Sequence, residues 1–427
     1  VVGLRLKGVG PSGERVEAHP PLLLRVAGQS RWGPFAYQPV LARQGRRITR
    51  EHQLPLALMG HLLETYQASP VPELLVLGGG GRRLERERIR LTSGLRKQLS
   101  EALRKLKADL ERPQPPSLAA DRRKCTLCSW RESCSRVAAA DGHLSEVSGI
   151  GAKRRDMLQE LGIHGLNDLA SANPERLAVE MERFGEQHGD VARALVAQAM
   201  AQRDGLVERL DGTPALPELQ GAPGVLLYDI ESDPDARHDF LHGFLRLPRQ
   251  SDGRWDLAAA TYHPLLVMAE HGEQRSWLRL QRLLSRYEGW PILHYGETET
   301  LSLRRLAQRQ GASDAQLRRL KRRLVDVHAR IRSHWRLPLG SYGLKSVAAW
   351  RGFHWSQPGV DGARALLWWR QWLGEGPKRR GSRHGLAWIF RYNQDDCRAT
   401  WAVAEWLLKE DDLLKTGPDT DQPTAGP

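Results

Sequence analysis

The segment Val225-Leu-Leu-Tyr-Asp-Ile-Glu231 constrains this chain more than any other. A short apolar run bounded by turn residues reads as a buried strand. On a strand, residues i and i+2 point to one face, so Asp229 and Glu231 project together from an apolar element. Two such carboxylates repel each other and call for a cation between them. Hard oxygen donors select Mg²⁺ or Mn²⁺. Taken alone, an acidic D-x-E also fits an ordinary solvated strand end.

Two further segments extend the pattern. Trp290–Glu299 reads as a short strand, a turn and an acidic helix start. Arg391–Thr400 opens a helix expected to run to about Leu408, with Tyr392 and Asp396 four apart on one face. A D-x-E on the first strand, an acid after a later strand and a Y-x-x-x-D on a late helix resemble the DEDD exonucleases with the tyrosine variant of the third motif, in the RNase H-like superfamily. His294–Glu299 (HYGETE), Val325-Asp-Val327 and Ser341–Ala348 (SYGLKSVA) are similar to the YprB-type ribonuclease H-like domain. The resemblance covers about 222–410 and implies a mixed-sheet α/β domain.

By position, the resemblance makes Asp229, Glu231 and Asp396 metal ligands. Glu299 stands at the second-motif acid, where classical members carry Asp; Glu297, two residues earlier, is the alternative. Tyr392 would orient or help deprotonate the attacking water, and Asp326 would support the site or cap a helix. The implied activity is a 3′→5′ exonuclease hydrolysing phosphodiester bonds of DNA or RNA. Two Mg²⁺ or Mn²⁺ ions would stabilise the attacking and leaving oxygens. The alternative reading is a non-catalytic nucleic-acid-binding scaffold in a repair or CRISPR-like assembly.

Charge fits a polyanionic partner. Against 50 Asp+Glu stand 64 Lys+Arg, a net +14. Leu303–Arg336 carries eleven Lys/Arg and two Asp, and Glu375–Arg391 carries five Lys/Arg and one Glu. Both blocks are expected to flank a substrate groove, with Lys378, Arg379 and Arg380 in a Gly-rich loop. Trp368, Trp369 and Trp372 either stack bases or, as helical spacing favours for at least two of them, pack the core.

Cys125-x2-Cys128-x5-Cys134 has the spacing of a metal centre. It resembles the clustered cysteines of RecB-like nucleases with an iron–sulfur staple. Residues 1–136 resemble such a PD-(D/E)xK domain, which accompanies a YprB-like domain in a known family. A fourth thiolate is missing, since Cys397 adjoins Asp396 in the other half. Three outcomes stay open: a [4Fe–4S] ligand outside this chain, loss of the centre, or a zinc site completed by His143. The nuclease motif positions fall at Pro20-Pro21, Leu41-Ala42-Arg43, Pro55 and Met59, none of them acidic, so this domain is expected to be catalytically dead. Within it, Leu22–Ala27, Ala36–Ala42 and Leu74–Leu77 read as strands, and Leu54–Tyr66 and Ser93–Glu111 as helices.

Leu144–Ile163 (LSEVSGIGAKRRDMLQELGI) resembles a helix–hairpin–helix motif within a helical region at 141–205. Gly149 and Gly151 would expose backbone N–H groups to a phosphate, with Lys153 and Arg154 adding charge. Residues 211–224, with three Pro and three Gly, read as a linker, and 411–427 as a disordered tail. The opening at Val1, directly in an apolar alternation, is expected to mark a fragment or a non-AUG start. No apolar stretch approaches the roughly 20 residues that span a bilayer, and four cysteines fit a reducing cytoplasm.

Overall fold

The computed structural model describes residues 3–44, 50–79, 84–114, 118, 125, 128, 130–234, 236, 238–268, 272–375 and 383–416. The chain divides into two compact units. One comprises Val1–Ser117 with the short link Asp233–His238; the other comprises Leu118–Ser232 with Asp239–Pro427. The cysteine segment thus groups with the second unit, beyond the end of the first at Ser117.

In the first unit, strands β1 (Leu6–Val9) and β2 (Arg15–Ala18) form an antiparallel hairpin. A four-stranded sheet follows, in the order β3 (Leu22–Val26), β4 (Ala36–Gln44), β5 (Glu73–Gly79), β6 (Leu84–Arg90). β4 and β5 are parallel and are joined by helix α1 (Arg50–Gln67); the outer pairs are antiparallel. Helix α2 (Ser93–Leu110) starts where the Thr92 hydroxyl accepts from the Leu95 N–H at 3.2 Å. Leu56, Leu62, Leu63, Leu74, Val76 and Leu99 form the core of this unit. Glu64 accepts two bonds from Arg96, at 2.7 and 2.8 Å, and ties α1 to α2. Burial alone would raise this carboxyl; Arg96 outweighs it and holds Glu64 below its ordinary range.

The second unit opens with helices α3 (Arg131–Ala140), α4 (Ala152–Glu160), α5 (Leu166–Ala170), α6 (Pro174–Glu182), α7 (Glu186–Gly189) and α8 (Ala192–Asp204). They bury Leu144, Leu158, Leu169, Leu177, Met181 and Leu195 together. β7 (Glu208–Arg209) leads into the larger sheet, whose strand order is β10 (Thr261–Leu266), β9 (His238–Pro248), β8 (Gly224–Asp233), β11 (Ile292–His294), β12 (Leu324–Asp326). β10 runs antiparallel to β9, whereas β11 is parallel to both β8 and β12. This is the mixed sheet that the sequence resemblance implies. Its connections are α9 (Gly272–Arg286), α10 (Glu297–Arg309) and α11 (Asp314–Arg323). After β12 come α12 (Val327–His334), β13 (Trp335–Arg336), α13 (Leu344–Trp350), α14 (Gly362–Glu375) and α15 (Arg383–Thr416). β13 pairs with β7.

Two expectations are corrected here. Residues 211–224 are not a free linker: Ala215, Leu216 and Leu219 are buried in the same core as Val225 and Leu227. The last helix does not stop near Leu408 but continues to Thr416. One cause serves both. The buried Asp411 carboxylate accepts from the Ala215 and Leu216 N–H groups at 2.8 and 3.2 Å and pairs with Arg209 at 3.0 Å. Residues 417–427 of the expected tail lie outside the described residues. Among the described residues, no helix is long and apolar enough to cross a membrane.

The helical region is bonded to the sheet domain through Gln198. Its side chain donates to the Leu337 carbonyl at 2.9 Å and accepts from the Tyr342 hydroxyl at 3.0 Å. Tyr342 in turn accepts from the Leu337 N–H at 2.8 Å. Every member of this buried network is satisfied, which favours one fixed arrangement.

Candidate active site

The sheet delivers acidic groups to one place because β8, β11 and β12 run parallel and end on the same edge. Asp229 and Glu231 lie near the end of β8, Glu299 in the first turn of α10 after β11, and Asp326 at the end of β12. Crevices at the carboxyl ends of parallel strands are the usual ligand sites of such sheets. α15 crosses this edge and adds Tyr392 and Asp396. Among the described residues, Asp229, Glu231 and Asp396 are the one set of three potential ligands whose donor atoms lie within 4.8 Å of one another.

Burial and mutual repulsion dominate the electrostatics. Asp229 is pushed well above the carboxylate range, first by burial and then by Asp396, Glu231 and Glu299. Glu231 is pushed up in the same way, by burial and Asp396. Burial raises Asp396 to about 6, against bonds from Trp355 and Tyr392 and the charge of Lys345. Burial also raises Glu299 to about 7, with Asp326 and Asp396 adding to it. One Glu299 oxygen, Oε2, is buried with no hydrogen-bond partner. The clustered carboxyls of Asp229, Glu231 and Asp396 form a donor set suited to hard divalent cations.

Glu299, at 9 % exposure, faces this cluster, whereas Glu297 is exposed. Glu299 is held by a rigid turn. Gly296 adopts φ +116°, a conformation that favours glycine. His294 Nδ1 bonds the Gly296 carbonyl at 2.8 Å and Nε2 bonds the Thr300 hydroxyl at 2.9 Å. Asp326 does not join the ligand cluster. Its Oδ1 accepts from the Gly296 N–H at 3.0 Å and from the Ala329 N–H at 3.2 Å, so it fastens the turn and caps α12. Tyr392 is 5 % exposed and bonds the Asp396 carboxylate; burial and three carboxylates push its phenol far above the ordinary range. Cys397 is fully buried beneath the site, its Sγ 3.6 Å from the Leu227 carbonyl.

Several residues escape a reading of the sequence. Asn393 Nδ2 donates to Asp229 Oδ2 at 2.6 Å, and its Oδ1 accepts from the Tyr262 hydroxyl at 2.7 Å. Trp355 Nε1 donates to Asp396 Oδ1 at 2.6 Å. Gly243 makes room for Asn393: a Cβ there would lie 1.6 Å from Asn393 Oδ1. Gly243→Ala is therefore expected to destabilise the protein by about 1–3 kcal/mol and to release Asp229 from its donor. Thermal denaturation checks the first effect and metal affinity the second.

The remaining expectations divide. Five of the eleven Lys/Arg of Leu303–Arg336 are engaged by the fold. Arg309 pairs with Glu273, Arg319 with Glu288, Arg330 with Glu218 and Arg336 with Glu208. Arg323 donates to the Leu284, Tyr287 and Trp290 carbonyls. Trp369 is 2 % exposed and stacks on Phe240 with centroids 4.5 Å apart, while Trp368 and Trp372 pack against the same cluster. Lys378, Arg379 and Arg380 lie outside the described residues.

Cys134 lies on α3; Cys125 and Cys134 are partly buried and Cys128 is exposed, all three as free thiols. His143 accepts from the Ser145 N–H at 3.1 Å and caps the turn at Leu144–Glu146. Gly149 turns the hairpin at φ +91°, and Gly151 precedes α4. Arg154 donates to the Gly149 carbonyl at 2.8 Å, which braces the hairpin, and Lys153 is exposed at the start of α4.

Residues 226–408 match the RNase_H_2 family model of the RNase H superfamily. The match supports an RNase H-like domain over those residues. No curated protein matches the chain.

Proposed function

We propose that the chain is a metal-dependent nuclease that hydrolyses phosphodiester bonds of DNA or RNA from the 3′ end. The observation that carries this reading is the convergence of Asp229, Glu231 and Asp396 from β8 and α15, with Glu299 alongside. Asp229, Glu231 and Asp396 would hold a divalent cation, and the orphaned Glu299 oxygen would serve a second. When bound, such cations offset charge on the attacking and leaving oxygens. The chain's own groups prepare the site. Asn393 orients Asp229, Trp355 fixes Asp396, and Asp326 holds the turn that aims Glu299. Tyr392 donates its one hydroxyl hydrogen to Asp396, so its oxygen would orient a water by accepting from it.

The first unit is read as a RecB-like fold without a site of its own. In support, a parallel crossover, β4–α1–β5, carries Ala42, Pro55 and Met59 where acids and their partners are expected. The hairpin at Gly149–Lys153 is read as a phosphate contact, and Cys125, Cys128 and Cys134 as ligands that a metal ion or cluster would have to draw together, since among the described residues the structure does not gather the three thiols into one set.

The test uses single-stranded DNA and RNA labelled at the 5′ end, incubated with the full chain and Mg²⁺ or Mn²⁺. The expected result is a ladder shortening from the 3′ end with one of the two polymers. Tight binding with no cleavage of either polymer and either metal would favour the non-catalytic scaffold.

A further inference from the structure

A cavity of about 550 Å³ opens in front of the carboxylates and is lined by Asp229, Asp396, Tyr392, His328, Lys345 and, unexpectedly, Arg131. Arg131 does not belong to the RNase H-like span. It is the first residue of α3, in the cysteine segment, and its N–H donates to the Cys128 carbonyl at 3.1 Å. Cys134 closes the next turn, its N–H donating to the Trp130 carbonyl at 3.0 Å.

The cations of this wall differ in their freedom. Lys345 Nζ donates to the Val360 carbonyl at 2.6 Å and lies 5.1 Å from the Tyr392 ring centre. Burial lowers the His328 imidazole from its ordinary value, against the charge of Asp326. Arg131 is exposed, and among the described residues no ion pair or hydrogen bond engages its guanidinium. That contrasts with Arg309, Arg319, Arg323, Arg330 and Arg336, all engaged by the fold. A planar guanidinium left free at the mouth of an acidic pocket matches the geometry of a phosphate.

Resting on the nuclease reading, we propose that Arg131 is a substrate-binding residue of this pocket. It would hold a backbone phosphate of the bound strand beside the carboxylate cluster. The cysteine segment would then contribute to the catalytic domain directly, by setting where α3 begins. The contact is to phosphate, so it would add affinity without reading bases.

The test separates this claim from the activity. In the Asp229→Asn background, which preserves the substrate, anisotropy of a labelled single-stranded oligonucleotide is followed with Mg²⁺ at graded salt. Adding Arg131→Ala is expected to weaken binding roughly tenfold. The slope of log affinity against log salt should fall by about 0.7, the value for one lost single-strand phosphate contact. Arg131→Lys should restore most of both, and Arg136→Ala, on the same helix but outside the cavity, should change neither. In the parent chain, Arg131→Ala should raise KM far more than it lowers kcat. Unchanged affinity and slope for Arg131→Ala would overturn the proposal. Failure of the parent chain to cleave would overturn the nuclease reading while leaving the binding result to decide Arg131.

Discussion

Asp229→Asn is expected to lower metal-dependent cleavage by on the order of 10³-fold or more while raising the melting temperature of the metal-free protein. Both effects have one cause. Asp229 is half-buried beside Asp396, Glu231 and Glu299, and each neighbour disfavours its charge. Asn keeps an oxygen to accept from Asn393 but carries no charge, so the folded state gains while cation binding loses an anionic donor. A merely damaged protein would lose activity and melt earlier. Residual metal-dependent cleavage in this variant would point to a second site, and the first unit offers no acid at Leu41–Arg43 to supply one. Activity and thermal melts of matched preparations check the pair.

The second large effect concerns pH, metal and Glu299. Its carboxyl is raised from 4.5 to about 7. With the folded value above the unfolded one, the folded metal-free protein binds the extra proton. Its stability is therefore greatest below about pH 4.5 as far as this group is concerned, and falls as pH rises towards 7. The size of the shift corresponds to about 3 kcal/mol at most. A divalent cation needs the ionised carboxylates, so it should bind more tightly in the same direction. The rise in melting temperature on adding Mn²⁺ should thus be small at pH 5.5 and large at pH 8. Glu299→Gln should stabilise the metal-free protein at pH 8, flatten that dependence and reduce cleavage. A Mn²⁺ effect that is constant with pH, or larger at pH 5.5, would contradict the assignment.

What the sequence discloses here follows from local periodicity. The two-residue repeat of β8 puts Asp229 and Glu231 on one face, and the four-residue repeat of α15 does the same for Tyr392 and Asp396. Both rules need only neighbouring residues. The support of those residues is non-local. Asn393 meets Asp229 164 residues away and Tyr262 131 away, and Trp355 meets Asp396 41 away. No spacing announces such pairs. Gly243 carries a packing demand that appears only once Asn393 is seen against it.

The differences have equally physical causes. β6, Leu-Glu-Arg-Glu-Arg-Ile-Arg, has too few apolar residues to read as a strand, yet it pairs along β5 as an edge, where charged side chains reach water. The Pro/Gly content of 211–224 suggests a linker because turns dominate it; Leu216 and Leu219 are apolar enough to bury, and Asp411 supplies acceptors for its backbone. Net charge likewise says little about location. Five arginines of 303–336 cap helices or pair with acids, whereas Arg131, in a segment notable for its cysteines, is the free guanidinium in the described lining of the acidic cavity.

If the nuclease reading holds, these carboxylates bind divalent cations. Calorimetric titration of Mn²⁺ into the full chain at pH 7.5, beside Asp396→Asn, tests it most directly. The parent chain is expected to bind saturably, and the variant to lose binding or weaken it by more than about tenfold. Equal binding by the two proteins would contradict it.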